Sequence, residues 1–165
     1  MSLPPILTWP DPRLSQVCAP VDDFAGMAPL GRGMLEIMYA APGRGLAGPQ
    51  IGVMQRIFVM DVAWIEATPT PLICINPRIV AQSDEVVTGM EACLSIPGIS
   101  AEVTRPAWVQ MRWNSANGDE ITERLDGFAA ICAQHEMDHL DGVVIFDRLD
   151  AETAAAKRAE YEAQS

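Results

Sequence analysis

The stretch Gln134-His135-Glu136-Met137-Asp138-His139 constrains this chain more than any other, because it holds the only two histidines of the sequence. Residues four apart on an α-helix lie one above the other on the same face. The spacing therefore predicts a helix that presents both imidazoles to one point. Two imidazoles so placed can hold one metal ion, with Glu136 beside them, in reach of a water on that ion. A pair of histidines on an apolar face can also be satisfied core residues. Here both histidines of the chain fall in the motif, a glutamate follows the first, and polar Gln134 and Asp138 flank them as supporting partners. These features favour a metal. The rest of the chain must then supply a third ligand, groups for a developing oxyanion, a substrate cleft and a core.

The chain reads as one domain over 1–165, long enough to bury roughly 68–70% of its unfolded surface. A net charge of −11 argues against a nucleic-acid binder and against attraction to an anionic membrane; a solvated acidic surface is the plainer meaning. No apolar run reaches transmembrane length, and Met1 to Arg13 lacks the basic region and apolar core of a signal peptide. Cys18, Cys74, Cys93 and Cys132 form no CxxC pair. Three of them lie in apolar contexts and read as buried thiols, which suits a reducing cytoplasm better than a disulfide scaffold.

Along the chain, residues 1–22 are proline-rich and read as an extended arm with a turn at Asp11–Leu14. Phe24, Met27, Leu30, Met34 and Ile37/Met38 recur at three and four and predict a core-facing helix from about Met27 to Ala40. Pro29 fits only in its first turn, and Gly31 and Gly33 weaken it. The next twelve residues, 41–52, hold four glycines and two prolines and cannot be a regular helix. They lack the Lys-Ser/Thr and the preceding strand of a phosphate loop. Two uses remain for them: a tight turn entering a strand, or close backbone approach to a ligand, with Gln50 offering an amide donor and acceptor.

Strands are expected at Arg56–Asp61, Leu72–Ile75, Arg78–Ala81 and Val86–Thr88, with Pro77 marking an edge or a bulge. Arg105–Trp113 alternates, with Ala107, Val109, Met111 and Trp113 on one face and Trp108, Gln110 and Arg112 on the other. Asn117-Gly118 turns it into Glu120–Leu125 as a β-hairpin. Asp126 is placed to N-cap the following helix, and Gly142 to stop it after Asp141. Phe128, Ile131, Cys132, His135 and His139 fall on one stripe of that helix. Val143–Phe146 reads as a short strand, and 151–165 as a helical tail.

The third ligand is left open by spacing. Cys132 shares the histidine stripe but lies seven residues before His139, about 10 Å along the axis, too far for its short side chain. Cys93 can approach from across the cleft. Glu152 or Glu160 would instead complete a His₂Glu site.

Three segments, taken in order, carry a resemblance to the peptide deformylase family. Its motifs GxGLAAxQ, EGCLS and QHExDHL are matched by Gly43-Arg44-Gly45-Leu46-Ala47-Gly48-Pro49-Gln50, by Glu91-Ala92-Cys93-Leu94-Ser95 and by Gln134 to Leu140. Similarity runs from about Ile6 to Leu149. The resemblance implies an α+β fold with small antiparallel or mixed sheets around a central metal-binding helix. It implies one divalent metal, iron(II) with zinc, nickel or cobalt as substitutes, bound by Cys93, His135 and His139. A thiolate and two neutral imidazoles would leave the site one positive charge, which lowers the pKa of bound water. Glu136 would be general base and then acid, with Gln50 and the Leu94 backbone N–H as oxyanion donors. The substrate would be an N-formylmethionyl peptide, contacted by Arg44, Gly45, Phe128, Ile131 and Cys132, and the products formate and a free amine.

The chain departs from the family pattern at Arg44, Gly48, Ala92 and Ser100, which bears on substrate range rather than on hydrolysis. If the backbone at Ala92 needs positive φ, alanine strains it. A transient ribosome contact would rest on Lys157 and Arg158, the basic residues of the tail. The competing readings are a related amide hydrolase with another substrate, a His₂Glu metallopeptidase, and a non-catalytic metal-binding protein.

Overall fold

The computed structural model describes residues 4–164; the ends of the expected arm and tail, Met1–Leu3 and Ser165, lie outside the described residues. The chain runs through helix α1 (Met27–Ala40), strands β1 (Gly45–Ala47), β2 (Ile57–Met60), β3 (Leu72–Gln82), β4 (Val86–Cys93), β5 (Ile96–Pro106), β6 (Trp108–Asn114) and β7 (Glu120–Asp126), then helices α2 (Gly127–Leu140) and α3 (Ala151–Glu162). Two antiparallel sheets result, one ordered β1-β2-β3-β6-β7 and one pairing β4 with β5.

Strand β2 is apolar and buried throughout because both of its faces are covered. Ile57 and Val59 point into a cluster with Met34, Ile37 and Met38 of α1. Phe58 and Met60 point the opposite way, into a cluster with Ala130, Ala133 and Leu140 of α2. Val109, Met111 and Trp113 of β6 join that second cluster, as their alternation predicted. Gly31 has a purpose in α1: a Cβ there would stand 2.6 Å from Cδ1 of Ile73, so its absence lets the helix close on the sheet. The small sheet packs Ile96, Ile99 and Val103 against Leu14 of the arm and against Val144, Ile145 and Phe146.

The α+β class and the bounds of α1 agree with expectation, and the α2 C-cap is Asp141 with Gly142 at φ 75°. Both sheets are antiparallel, within the expected arrangement, and the parallel pairing found among the described residues is an isolated bridge, Ala19 with Gln55. Other expectations need correction. Leu72–Ala81 is one interior strand, bulged at Asn76-Pro77, so Pro77 marks a bulge and not an edge. Arg105–Trp113 is not one strand. The chain leaves the small sheet at Pro106 and joins the large one at Trp108, and the Ser83 hydroxyl accepts from the N–H groups of Ala107 and Trp108 at 2.8 and 3.1 Å. Asp126 stands at the N-cap of α2, but its carboxylate accepts from Arg124 instead of capping. Val143–Phe146 is no strand: the Asp147 carboxylate accepts from Val144 N–H at 2.9 Å and starts a 3-10 helix at Ile145–Arg148.

The bulge in β3 depends on Asn76, which holds φ 50°. Its amide accepts from Val21 N–H at 2.8 Å and donates to Val21 C=O at 2.9 Å, tying the arm to the sheet. Replacing Asn76 with Ala removes both bonds and puts a residue with no local partner in the left-handed region. We expect a loss of about 2–4 kcal/mol in a denaturant titration, and a smaller loss for Asn76→Gly, which keeps the backbone geometry.

Candidate metal centre

Helix α2 is buried on nearly every side of its last two turns: Gln134, His135, Glu136, Asp138, His139 and Leu140 are all buried. The expected single stripe is therefore only part of the picture. A helix covered all round carries no clean amphipathic pattern, and its polar residues must find partners inside the protein. The stripe begins at an exposed ring, Phe128, and runs inward to His139.

Strand β4 supplies the facing element. Successive strand residues alternate faces, so Glu91 and Cys93 turn inward together while Ala92 is exposed. The donor atoms of Cys93, His135 and His139 lie within 4.8 Å of one another, and Cys93 Sγ is 3.3 Å from His139 Nε2. Glu152 and Glu160 are exposed on α3, Glu160 paired with Lys157, and neither joins this group.

Glu91 orients the first histidine. Its carboxylate accepts from His135 Nδ1 at 3.0 Å, so that in the neutral ring Nε2 carries the lone pair. Glu91 is itself held by Arg105 through bonds of 2.7 and 2.9 Å. Arg105 also donates to Asp138 at 2.9 Å, and Asp138 accepts again from Arg148. Burial raises the Glu91 carboxyl, but the Arg105 and His135 hydrogen bonds and charges outweigh it and hold its pKa at about 2. Burial likewise raises Glu136, only partly offset by His135 and Arg105, to about 7. Burial and the charges of His135 and Arg105 push His139 well below the usual histidine value. Burial and the Glu136 charge keep Cys132 a thiol, its pKa pushed well above the ordinary value.

The glycine-rich segment forms the opposite wall. Its structural role is β1 followed by a 3-10 helix, Gly48–Ile51. Gln50 Oε1 accepts from Ala47 N–H at 2.8 Å, which turns Nε2 toward Ser95 Oγ at 3.0 Å and Cys93 Sγ at 3.6 Å. The arm stitches these pieces together: Leu7 N–H donates to Gln50 C=O at 2.7 Å and Trp9 N–H to Ser95 C=O at 2.8 Å. A Cβ on Gly45 would lie 2.6 Å from Glu136 Oε2, so glycine is required for β1 to pass the carboxylate. Gly48 is explained similarly: an alanine there would stand 2.6 Å from Val53 C=O. Ala92 is not at positive φ, the one non-glycine residue there among those described being Asn76, so the expected strain beside Cys93 is absent.

A cleft of about 680 Å³ opens on the site. Arg44, Gly45, Gln50, Cys93, Leu94, Phe128, Ile131, Cys132, His135 and Glu136 all line it, while His139 sits behind them at 1% exposure. Sequence reasoning gave no role to Glu91, Ser95 or Arg105. The first two lie in the motif around Cys93, and the alternation Ile99, Ala101, Val103, Arg105 along β5 marks Arg105 as inward-facing. What that alternation lacked was a partner for a buried cation.

The donors suit a divalent metal. One sulfur and two imidazole nitrogens converge on one point, and among the described residues a buried carboxylate oxygen beside them, Glu136 Oε1, has no hydrogen-bond partner. A soft thiolate with imidazoles matches the preferences of zinc and iron rather than those of magnesium or calcium.

Residues 3–155 match the sequence model of the polypeptide deformylase family. A peptide deformylase of Phenylobacterium zucineum is 44% identical over 150 residues, covering 90% of this chain and 89% of the relative. The crystal structure of peptide deformylase from Thermus thermophilus superimposes with a TM-score of 0.89 at 37% identity, covering 97% of this chain and 93% of that one. The structure of the Ehrlichia chaffeensis peptide deformylase in complex with actinonin gives 0.92 at 35% identity, covering 100% and 99%.

The low pKa of Glu91 has a stability consequence with a definite sign. Its folded pKa of about 2 lies below its ordinary value of 4.5, so the stabilisation is fully present above pH 4.5 and is lost as pH falls toward 2. Glu91→Gln should cost about 2–4 kcal/mol at pH 7. The gap in melting temperature between wild type and variant should close between pH 4.5 and 2; a gap that stays constant across that window would contradict the assignment.

Proposed function

The chain belongs to the peptide deformylase family, and on that premise we propose that Cys93, His135 and His139 hold one divalent metal beside which the N-formyl group of an N-formylmethionyl peptide is hydrolysed. The reading is carried by one observation: a thiol and two imidazoles meet within 4.8 Å beside a buried carboxylate oxygen that has no other partner. The metal we favour is iron(II), with zinc, nickel and cobalt as substitutes. When bound, it supplies Lewis acidity that acidifies water and polarises a carbonyl.

The chain's own residues do the rest. Glu136, buried beside the ligand group with one carboxylate oxygen unpartnered, takes the proton of the attacking water and gives it to the departing amine nitrogen. One C–O bond forms, the formyl C–N bond breaks, and formate and a free N-terminal methionine leave. Gln50 Nε2 and the Leu94 backbone N–H stabilise the oxyanion. The Gln50 amide suits that task because its oxygen is already committed to Ala47, so only N–H faces the cleft. Gly45 lets the substrate strand and Glu136 come close, and Phe128, Ile131 and Cys132 wall the space for the methionine side chain.

The tail adds little to this function. Lys157 pairs with Glu160, and Arg158 lies 5.6 Å from the Phe146 ring centroid, so both basic residues of a proposed ribosome contact already have partners within the chain. No helix among the described residues is long and apolar enough to cross a membrane. The four free, buried cysteines fit the reducing cytoplasm in which we place the reaction.

Anaerobic purification with metal analysis, followed by formate release from a formyl-Met peptide, tests the function. Iron-loaded protein that gives no turnover beside an active control deformylase would overturn it. Glu136→Gln should keep the metal and lose about 10²–10⁴-fold in kcat, whereas Cys93→Ala should lose the metal. Retention of metal by Cys93→Ala would overturn Cys93 as the third ligand.

A further inference from the structure

Among the described residues lining the cleft, Arg44 is the one permanent cation. Its backbone is pinned. The Arg44 carbonyl accepts from Asp61 N–H at 2.9 Å and from the Cys132 thiol at 3.6 Å. The neighbouring Gly43 carbonyl accepts from Trp64 Nε1 at 2.9 Å. The side chain is not buried with it. The guanidinium lies 5.6 Å from the centroid of the exposed Phe128 ring and donates to Glu66, whose carboxylate is 61% exposed. A guanidinium carries five N–H donors in a fork suited to carboxylates, and most of them are uncommitted here. The acids that share the cleft cannot use them: Glu91 is tied to Arg105, and Glu136 is buried at the metal centre.

We propose that Arg44 determines specificity for acidic substrates, its guanidinium binding the side-chain carboxylate of an aspartate or glutamate at the second or third residue of a formylmethionyl peptide. The inference rests on the deformylase reading of the cleft. The position follows from helix and strand geometry. Phe128 precedes His135 by two helical turns, about 10 Å along α2, and an extended peptide covers that distance in roughly three residues. Glu66 is no obstacle, because an exposed ion pair is weak enough to be exchanged or shared. The chain as a whole carries a net charge of −11, so an acidic peptide is drawn to the cleft by the local Arg44 cation and not by the overall charge.

The test compares kcat/KM for formyl-Met-Asp-Ser and formyl-Met-Ala-Asp with their lysine counterparts, with formyl-Met-Ala-Ser as the neutral reference, read by formate release at low salt. Wild type should favour aspartate over lysine by about tenfold, from roughly threefold attraction and threefold repulsion at an exposed charge pair. The ratio should shrink in about 0.5 M salt, fall toward one in Arg44→Gln and invert in Arg44→Glu. A wild type without the preference, or an Arg44→Glu variant that retains it, overturns the proposal. Calorimetric Kd values for the deformylated product peptides should show the same order without turnover. A metal-loaded protein that fails on the neutral peptide therefore overturns the deformylase reading, while the Kd ratio still decides the role of Arg44.

Discussion

The ion network centred on Arg105 makes the rest of this structure possible. A helix that carries two imidazoles, two carboxylates and an amide into a protein interior is expensive to bury unless each group is satisfied there. Arg105, 3% exposed, answers part of that demand from β5: it bonds Asp138 directly and supports His135 through Glu91. It grips Glu91 on one side and Asp138 on the other, so one cation joins β4, β5 and α2. Glu91 then passes the constraint to His135 by fixing which ring nitrogen bears the proton. The orientation of His135, a proposed metal ligand, is thus set by a residue outside the ligand group, the usual relation between inner ligands and their supports.

The pieces around that network share little sequence neighbourhood. Gln50 comes from the turn after β1, Cys93 from the end of the small sheet, and the histidines from α2. The arm ties two of these walls together through backbone bonds at Gln50 and Ser95. Rigidity there has a chemical use. Groups meant for a transition state help most when they need not reorganise to meet it, and Gln50 is already turned by its bond to Ala47.

Much of this could be read before any coordinates. The helices and the β6–β7 hairpin follow from periodicity and turn residues, and the metal-bearing helix from histidine spacing. The misreadings share a physical cause: a local pattern overruled by a distant or side-chain partner. Arg105 to Trp113 alternates without a break, yet the Ser83 hydroxyl moves the chain from one sheet to the other. Val143 to Phe146 is as apolar as a strand, yet Asp147 closes it into a turn. The third metal ligand stayed open on spacing alone, because two histidines on a helix do not say which distant strand will face them. Arg105 itself was invisible as a site residue, since nothing local marks a buried cation's two acidic partners.

The order of these parts along the chain sets when the catalyst comes into being. The arm, the glycine-rich wall and Cys93 are all synthesised before α2, which lies near the C-terminal end of the residues described. Until that helix has left the ribosome, the nascent chain holds a thiol with no imidazoles to complete the ligand set and no Glu136. A growing copy therefore has no complete site until α2 has been made.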